Sequence, residues 1–543
     1  MKSKLLLLVF LVFFSCKKEW NKEIPNDDIR AVIVKDVEFK VLDSHYINND
    51  ALWKPFEKYW ESFTEQEYLE LKPYIIEQDI PTLQERIYAG KLSYEKLTLF
   101  YLYRIKKHDR MNELSLNSVI ALNSDVVEQA KEKDHQLKNR MRKHPIFGMP
   151  ILLKDNINAS GMPTTAGAIA MTDNRTSDAF IVTQLKQNGA LILGKTNLSE
   201  WAYFFCGECP SGYSAVGGQT LNPYGRKVFD TGGSSSGSGV ASSMNFAVAT
   251  VGSETAGSIL SPAAANSVVG LKPTIGMLSR TGIVPISSTL DTPGPITKNV
   301  IDTGIMMSAM FGNDTDDSAS LKTDFDAYWF TNYFVNEEMP FESKSFGVYK
   351  DFLKDTLYAN AVEILKKKGA KIFELESKES ELNGFLTLLN IDMRNDLPKY
   401  LKNNASKKLS ISSVQDVIDF NKKDSILTMP YGQALFYGIV GDTTNTEGFE
   451  RVKSSLAIKG KQYFEDDFYN HSLDAILSIN NYHAAEAAVA KYPALTVPMG
   501  YTIEGQPKGL TFIAKPMQDN ELIELAANYE MASKERKVPE EYN

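Results

Sequence analysis

The sequence predicts an α/β protein, because short strand-like segments alternate with helical segments over most of its length. From residue 145 onwards, brief apolar segments are separated by helical periodicity and by loops rich in Gly, Ser, Thr and Pro. Such alternation is typical of a sheet covered by helices. A closing helix is expected over about residues 520–534. The strand-like segments are residues 149–153, 190–193, 246–251, 475–479 and 494–497.

The first sixteen residues have the pattern of an export signal. Lys2 and Lys4 precede an unbroken apolar segment, residues 5–14, which is followed by Ser15 and Cys16. Ten residues rise about 15 Å as a helix, half of the roughly 30 Å hydrocarbon core of a bilayer. A basic start, an apolar segment and a small residue instead describe a cleaved signal peptide. No later apolar segment is long enough to predict a transmembrane helix.

The Ser-Cys end of this segment resembles a bacterial lipoprotein signal. In such a signal, residues 1–15 are removed and Cys16 becomes the lipidated first residue of the mature chain. The resemblance implies an exported protein of the cell envelope, on the periplasmic side, that is anchored to a membrane by lipid. Residues 16–60 are largely polar and lack strong periodicity, so we expect an N-terminal extension that acts as a tether.

Residues 61–144 are expected to be helical, because apolar residues recur there at helical spacing. Ser93 and Ser124 stand where helix N-caps are expected, ahead of the apolar residues. The segments with the clearest spacing are residues 82–87, 93–107 and 124–142.

The composition of the 543 residues excludes several classes of protein. With 59 Lys and Arg against 68 Asp and Glu, the net charge is −9, which argues against nucleic acid as the main partner. Three cysteines cannot form the disulfide framework of a small secreted domain. The sequence also lacks a cluster of His and Cys with the spacing of a metal site.

Two short motifs match familiar patterns but lack the surroundings that those patterns need. Residues 189–196 fit the phosphate-loop pattern, yet their middle residues, Ala-Leu-Ile-Leu, favour a buried strand over a loop. Residues 233–237 fit the GxSxG pattern of α/β-hydrolases, with Ser235 as nucleophile, but a polar loop precedes them where a strand is needed. The only later histidines are His471 and His483. A serine–histidine mechanism is therefore kept only as an alternative.

A segment rich in serine and glycine, residues 231–262, is the best candidate for a catalytic centre. It contains an apolar strand, and the turn at residues 255–258 after that strand can aim several N–H groups at one point. No histidine occurs between residues 145 and 470, so a serine nucleophile there needs another base. Lys154 follows an apolar strand and can serve if burial lowers its pKa. From the residue pattern alone, a salt-bridged structural lysine remains the alternative.

Two groups of residues resemble the amidase signature family. Residues 154–157, Lys-Asp-Asn-Ile, resemble the family's lysine segment, and residues 232–235 with 257–258 resemble its serine-rich signature. Ser234 and Ser258 match the family's pair of catalytic serines in their spacing.

The resemblance extends over roughly residues 76–535. Glu254 and Thr255, together with residues 430–433, make the peptide-amidase-like branch the most similar one. The family's fold is one large α/β domain, in which helices wrap a mixed, mostly parallel central sheet of about eleven strands. In this chain the domain is expected to span residues 61–543. Its expected parts are a helical N-terminal part (61–144), a catalytic core (145–312), a variable substrate-side region (313–470) and a C-terminal core part (471–535).

The resemblance also implies a Ser-Ser-Lys mechanism that hydrolyses a carboxamide to a carboxylate and ammonia or an amine. Ser258 is the implied nucleophile, and Ser234, which follows a cis peptide bond in the family, links it to Lys154. The substrate is expected to be a small-molecule or peptide amide, and no metal or organic cofactor is implied. The N–H groups implied in stabilising the oxyanion are those of Thr255, Ala256, Gly257 and Ser258.

The sequence departs from the family at two places. Ala256 stands where the family usually has Gly or Asp, and it keeps the N–H donor. Cys206 and Cys209 stand in a loop where relatives usually carry polar residues. This pair fits either a tight disulfide or two free thiols.

Two other functions remain open at this point. One is the glutaminase subunit of a tRNA-dependent amidotransferase, against which the export signal argues because transfer RNA is cytoplasmic. The other is a non-catalytic binding protein at the cell surface, against which the intact set of Lys154, Ser234 and Ser258 argues. The oligomeric state cannot be predicted from the sequence.

Overall fold

The computed structural model describes residues 39–110, 113–137 and 143–543. The predicted signal peptide and Cys16 lie outside these residues. In the part of the chain that is described, no helix combines the length and the apolar character needed to cross a bilayer. The same residues contain no group of three or more His, Cys, Asp and Glu side chains that could hold a metal ion.

The folded domain begins earlier than residue 61. Helix α1 (Asn49–Trp53) and a 3-10 helix (Lys54–Tyr59) lie within the segment assigned to a tether. Trp53 and Phe56 are buried in the core, at 4% and 0% exposure. Burial of one large apolar side chain stabilises a fold by roughly 1.5–3 kcal/mol. The tether prediction is therefore wrong for this last part of residues 16–60.

The helix caps of the N-terminal part agree with the prediction at one serine and differ at the other. Helix α4 (Tyr94–His108) begins after Ser93, whose hydroxyl accepts a hydrogen bond from the Lys96 N–H at 3.1 Å. That cap is confirmed. Helix α5 (Val126–Leu137) begins two residues after Ser124, so Ser124 lies in the preceding turn instead of at the cap. The other helices here are α2 (Glu65–Ile75) and α3 (Ile80–Tyr88).

A short strand interrupts the region that the sequence predicts as helical. Strand β1 (Val119–Leu122) pairs antiparallel with β3 (Leu191–Thr196) at the edge of the sheet. Four residues are too few for the alternation of a strand to be recognised in a sequence. This explains why β1 was not predicted.

The central sheet has eleven strands in the described part of the chain, which confirms the expected mixed α/β fold. Its order is β1-β3-β2-β6-β8-β7-β12-β13-β11-β9-β10, and β4 and β5 form a separate ribbon. Parallel pairing occurs within β3-β2-β6 and β11-β9-β10, and the pairs between these groups are antiparallel. The remaining strands are β2 (Pro150–Lys154), β4 (Tyr213–Ser214), β5 (Gly218–Gln219), β6 (Ala249–Glu254), β7 (Val269–Lys272), β8 (Thr292–Thr297), β9 (Ser345–Tyr349), β10 (Lys371–Leu375), β11 (Ala475–Ile479), β12 (Ala494–Tyr501) and β13 (Pro507–Ile513).

Helices pack against this sheet and complete the domain. The closing helix is confirmed as α17 (Asp519–Ser533), which packs against β12 and β13. Five of the described helices lie between β10 and β11, within the region predicted to be variable. The remaining helices are α6 (Phe180–Gln187), α7 (Ser236–Ser243), α8 (Leu260–Ala265), α9 (Val300–Met310), α10 (Thr356–Lys367), α11 (Phe385–Asn403), α12 (Val414–Asn421), α13 (Ser425–Thr428), α14 (Ala434–Gly441), α15 (Thr446–His471) and α16 (Ala484–Ala490).

The sheet brings two strand ends to the same edge. Strands β2 and β6 are parallel neighbours, with Leu153 opposite Val251. β2 ends at Lys154 and β6 ends at Glu254, and the carboxyl ends of parallel neighbours open on one side of a sheet. The loop at residues 255–258 follows directly, so the fold places it beside the lysine.

Candidate active site

Lys154 is buried at the end of β2 and is held by two hydrogen bonds. Its Nζ lies 2.8 Å from Ser234 Oγ and 2.9 Å from the main-chain oxygen of Ser253. Burial lowers the pKa of Lys154 from 10.5 to about 7, although the charges of Asp291 and Glu254 oppose the shift. An amine with this pKa is neutral in a large fraction of molecules near pH 7, and it can then accept a proton.

Ser234 and Ser258 are brought together by main-chain hydrogen bonds. The peptide bond between Gly233 and Ser234 is cis. The Ser199 N–H donates to the Ser234 carbonyl at 3.0 Å, and the Ser235 N–H donates to the Ser258 carbonyl at 3.1 Å. Ser234 is fully buried, whereas Ser258 keeps 9% of its surface exposed. Ser258 is therefore the serine that a bound molecule can reach.

The loop at residues 255–258 connects β6 to α8 and is fixed at its α8 end by Glu254. One carboxylate oxygen of this buried residue accepts the N–H groups of Ile259 at 2.7 Å and Leu260 at 3.0 Å. Gly257 has a φ of +90°. Its missing Cβ would stand 3.0 Å from the amide nitrogen of Asn481, so only glycine fits without strain. This loop can present main-chain N–H groups to a developing negative charge.

A buried low-pKa lysine, two adjacent serines and a loop of main-chain N–H groups are what nucleophilic cleavage of an acyl bond requires. A model of the amidase family matches residues 96–429 of the chain. The chain belongs to the amidase family. It is an enzyme that hydrolyses amide C–N bonds.

Similar proteins support this assignment over most of the chain. A probable amidase of Arabidopsis thaliana is 33% identical over 497 residues, which cover 86% of this amidase and 92% of that protein. The crystal structure of an amidase family protein from Bacillus anthracis has a TM-score of 0.85 and 34% identity, covering 92% of this chain and 99% of the other. The native peptide amidase from Stenotrophomonas maltophilia has a TM-score of 0.80 and 35% identity, covering 86% and 99%. A glutamyl-tRNA(Gln) amidotransferase subunit from Thermoanaerobacter pseudethanolicus is 27% identical over 498 residues, covering 85% and 97%.

The phosphate-loop pattern of the amidase is a structural strand. Residues 191–196 form β3, in which every residue is buried. Lys195 Nζ lies 3.0 Å from an Asp155 carboxylate oxygen and 3.0 Å from Thr164 Oγ1. The lysine of this motif therefore forms a buried ion pair beneath the site, and the prediction that residues 189–196 form a buried strand instead of a nucleotide loop is confirmed.

The residues of the alternative serine–histidine mechanism have other partners. Ser235 Oγ is buried and donates to the Ser253 carbonyl at 3.1 Å. His483 Nδ1 lies 2.7 Å from Ser478 Oγ, and its ring packs on Tyr349. The ring of His471 packs on Phe373. The residues that lead into Ser235 form a loop instead of a strand, so the fold does not form a nucleophile elbow there.

The cysteine pair forms a disulfide, which decides between the two forms left open by the sequence. Cys206 and Cys209 are both buried in the loop before β4. The Tyr203 hydroxyl donates to the Cys209 carbonyl at 2.9 Å, and the Leu435 N–H donates to the Phe205 carbonyl at 3.1 Å. The disulfide therefore lies in a loop that is hydrogen-bonded to the start of α14.

The site also contains partners that the sequence did not predict. The Ser253 carbonyl accepts hydrogen bonds from both Lys154 and Ser235. Asn156 Nδ2 donates to Ser253 Oγ at 2.8 Å. A main-chain carbonyl has no signature in a sequence, since every residue carries one. Only Asn156 offered a signal, because it follows the lysine by two residues.

Proposed function

We propose that this amidase is an exported, lipid-anchored hydrolase that works through an acyl-enzyme on Ser258, with Ser234 and Lys154 as the proton relay. The observation that carries the proposal is the 2.8 Å contact between Lys154 Nζ and Ser234 Oγ, combined with a lysine pKa of about 7. A shift of this size costs about 5 kcal/mol, at 1.36 kcal/mol for each pKa unit. A lysine held at that cost and bonded to a serine supports a role as base better than a structural role.

The mechanism begins with a neutral Lys154. Ser258 Oγ attacks the amide carbon while its proton passes to Ser234, and the proton of Ser234 passes to Lys154 Nζ. The negative charge that develops on the carbonyl oxygen is stabilised by the N–H groups of Thr255, Ala256, Gly257 and Ser258.

Collapse of this intermediate breaks the C–N bond. The proton on Lys154 returns through Ser234 to the leaving nitrogen, which departs as ammonia or an amine and leaves the acyl group on Ser258 Oγ. Water then attacks the ester, and the same relay takes its proton and returns one to Ser258. The products are a carboxylate and the regenerated enzyme, so the cycle needs no metal or organic cofactor.

The proposed substrate is a small-molecule or peptide amide. The similarity to the peptide amidase from Stenotrophomonas maltophilia supports a substrate of this class. A panel of peptide amides, aryl amides and fatty amides tests the proposal, with ammonia or amine release as the readout. The wild-type protein should hydrolyse at least one class, and Ser258→Ala should hydrolyse none. Equal release by both proteins would contradict a serine acyl-enzyme.

The two alternative functions predict different results. A glutaminase subunit would release ammonia from glutamine, and its release would depend on a partner and on charged tRNA. A non-catalytic binding protein would not react with a fluorophosphonate probe, whereas the proposed nucleophile is labelled at Ser258. The hydrogen-bonded pair of Lys154 and Ser234 supports the hydrolase, because a decayed site has no need to keep a buried lysine at its energetic cost.

Lipid anchoring gives a prediction at Cys16. Cys16→Ala should release the protein into the soluble fraction or block its processing, since the thiol that carries the lipid is lost. Membrane fractionation of cells that express the full chain measures this. Cys209→Ala is the matched control and should leave the membrane fraction unchanged. A wild-type protein that is fully soluble after export would contradict the anchor.

A further inference from the structure

Asp291 lies beside the oxyanion loop because of the register of two strands. β6 and β8 pair antiparallel, with Glu254 opposite Thr292. Thr255 follows Glu254 and Asp291 precedes Thr292, so both residues lie one position beyond the last pair. In an antiparallel ladder these two positions face each other. Thr255 Oγ1 donates to Asp291 Oδ1 at 2.5 Å.

The second oxygen of Asp291 is bound to another segment. Asp291 Oδ2 accepts the N–H groups of Ile286 at 2.8 Å and Ser287 at 2.9 Å. The carboxyl thus links Thr255 to a loop that is distant from it in sequence. The opposite end of the oxyanion loop is held by Glu254, through Ile259 and Leu260. The four-residue loop is therefore fixed by a carboxylate at each end.

Asp291 also contributes to the electrostatics of the proton relay. It lines one small cavity together with Asn156, Ser253 and Thr255. Its negative charge raises the pKa of Lys154, as does that of Glu254. Desolvation raises the pKa of Asp291 itself to about 6, although its hydrogen bonds and the charge of Arg280 oppose the shift. Arg280 is paired with Asp317, and this pair faces Asp291 from the neighbouring loop.

We propose that Asp291 is a positioning residue, which holds Thr255 and thereby the oxyanion loop in the geometry that stabilises the tetrahedral intermediate. The inference rests on the proposed acyl-enzyme mechanism. Thr255 is the first residue of the loop, and its hydroxyl bond to Asp291 fixes the orientation of the peptide groups that follow. Without that bond the donors remain present but lose their alignment with the oxyanion.

Two variants and one matched control test this role. Thr255→Val and Asp291→Asn should each lower kcat by about 10- to 100-fold with little change in KM, less than the loss of a whole oxyanion donor. Thr255→Ser keeps the hydroxyl and should recover most of the lost rate. The control is Thr274→Val, since Thr274 Oγ1 donates to Asp519 Oδ2 at 2.6 Å in another buried Thr–Asp pair. That control should lose a similar amount of thermal stability and keep its kcat.

The pH profile separates positioning from a merely structural effect. Asp291→Asn removes a negative charge near Lys154, so the pKa of Lys154 falls and the rising limb of kcat should move to lower pH. Thr255→Val keeps the charge and should leave the limb in place. Wild-type kcat in Thr255→Val, or an unmoved limb in Asp291→Asn, would overturn the inference. Fluorophosphonate labelling distinguishes that result from failure of the mechanism: a wild-type protein unlabelled at Ser258 overturns both together.

Discussion

Lys154→Met and Ser258→Ala should each reduce kcat by roughly 10⁴-fold or more, because a nucleophile and its base act as one unit. Methionine keeps the length of the lysine side chain and removes only the amine. In Lys154→Met no group remains to take the proton from Ser234, and in Ser258→Ala no nucleophile remains. Initial rates on any hydrolysed amide measure both losses.

A second buried lysine provides the matched control for Lys154→Met. Lys298 is also buried, and its Nζ donates to the Val248 carbonyl at 2.7 Å. Burial lowers the pKa of Lys298 as well, while Asp302 and Glu77 oppose the shift. Lys298→Met should affect thermal stability in the same manner and leave kcat near the wild-type value. An equal loss in both variants would mean that Lys154 acts only through the fold.

Ser234→Ala should lower kcat by about 10²- to 10⁴-fold, the usual contribution of a proton-transfer group. The proton path from Ser258 to Lys154 passes through the Ser234 hydroxyl, which lies 2.8 Å from the lysine amine. Ser235→Ala is the matched control, since Ser235 is equally buried and also belongs to the serine-rich segment. Its hydroxyl bonds to the main chain of Ser253, so its loss should cost tenfold or less.

The alternative serine–histidine mechanism predicts the reverse order of effects. Ser235 and either His471 or His483 would be indispensable, and Ser234 and Lys154 would not. We expect His471→Ala and His483→Ala to turn over amides at nearly the wild-type rate. Folding of each variant is checked by thermal unfolding, because His483 is buried among aromatic rings and its loss leaves a cavity.

The parts of the fold that were predicted are those with a strong local pattern. The long amphipathic helices and the apolar strands β2, β3 and β6 follow from periodicity, and the family resemblance gives the eleven-stranded sheet. β1 was missed because an edge strand of four residues has no clear period. The tether boundary was wrong because Trp53 and Phe56 are buried by residues far away in sequence.

The candidate site was predicted at the level of side chains and not at the level of the main chain. Lys154, Ser234 and Ser258 could be named from the resemblance, and the structure hydrogen-bonds the first two to each other. The carbonyl of Ser253 and the contact between Thr255 and Asp291 depend on strand register. Register is set by the pairing of whole strands, and a single sequence does not specify which strands become neighbours.

The pH dependence of kcat/KM tests the neutral lysine base most directly. It should be measured from about pH 5 to pH 9 for the wild-type protein and for His483→Ala. Because only neutral Lys154 accepts the proton, both profiles should rise about tenfold per pH unit below a midpoint near 7 and level off above it. A flat profile, or a rising limb that disappears in a folded His483→Ala variant, would contradict the assignment of Lys154 as the base.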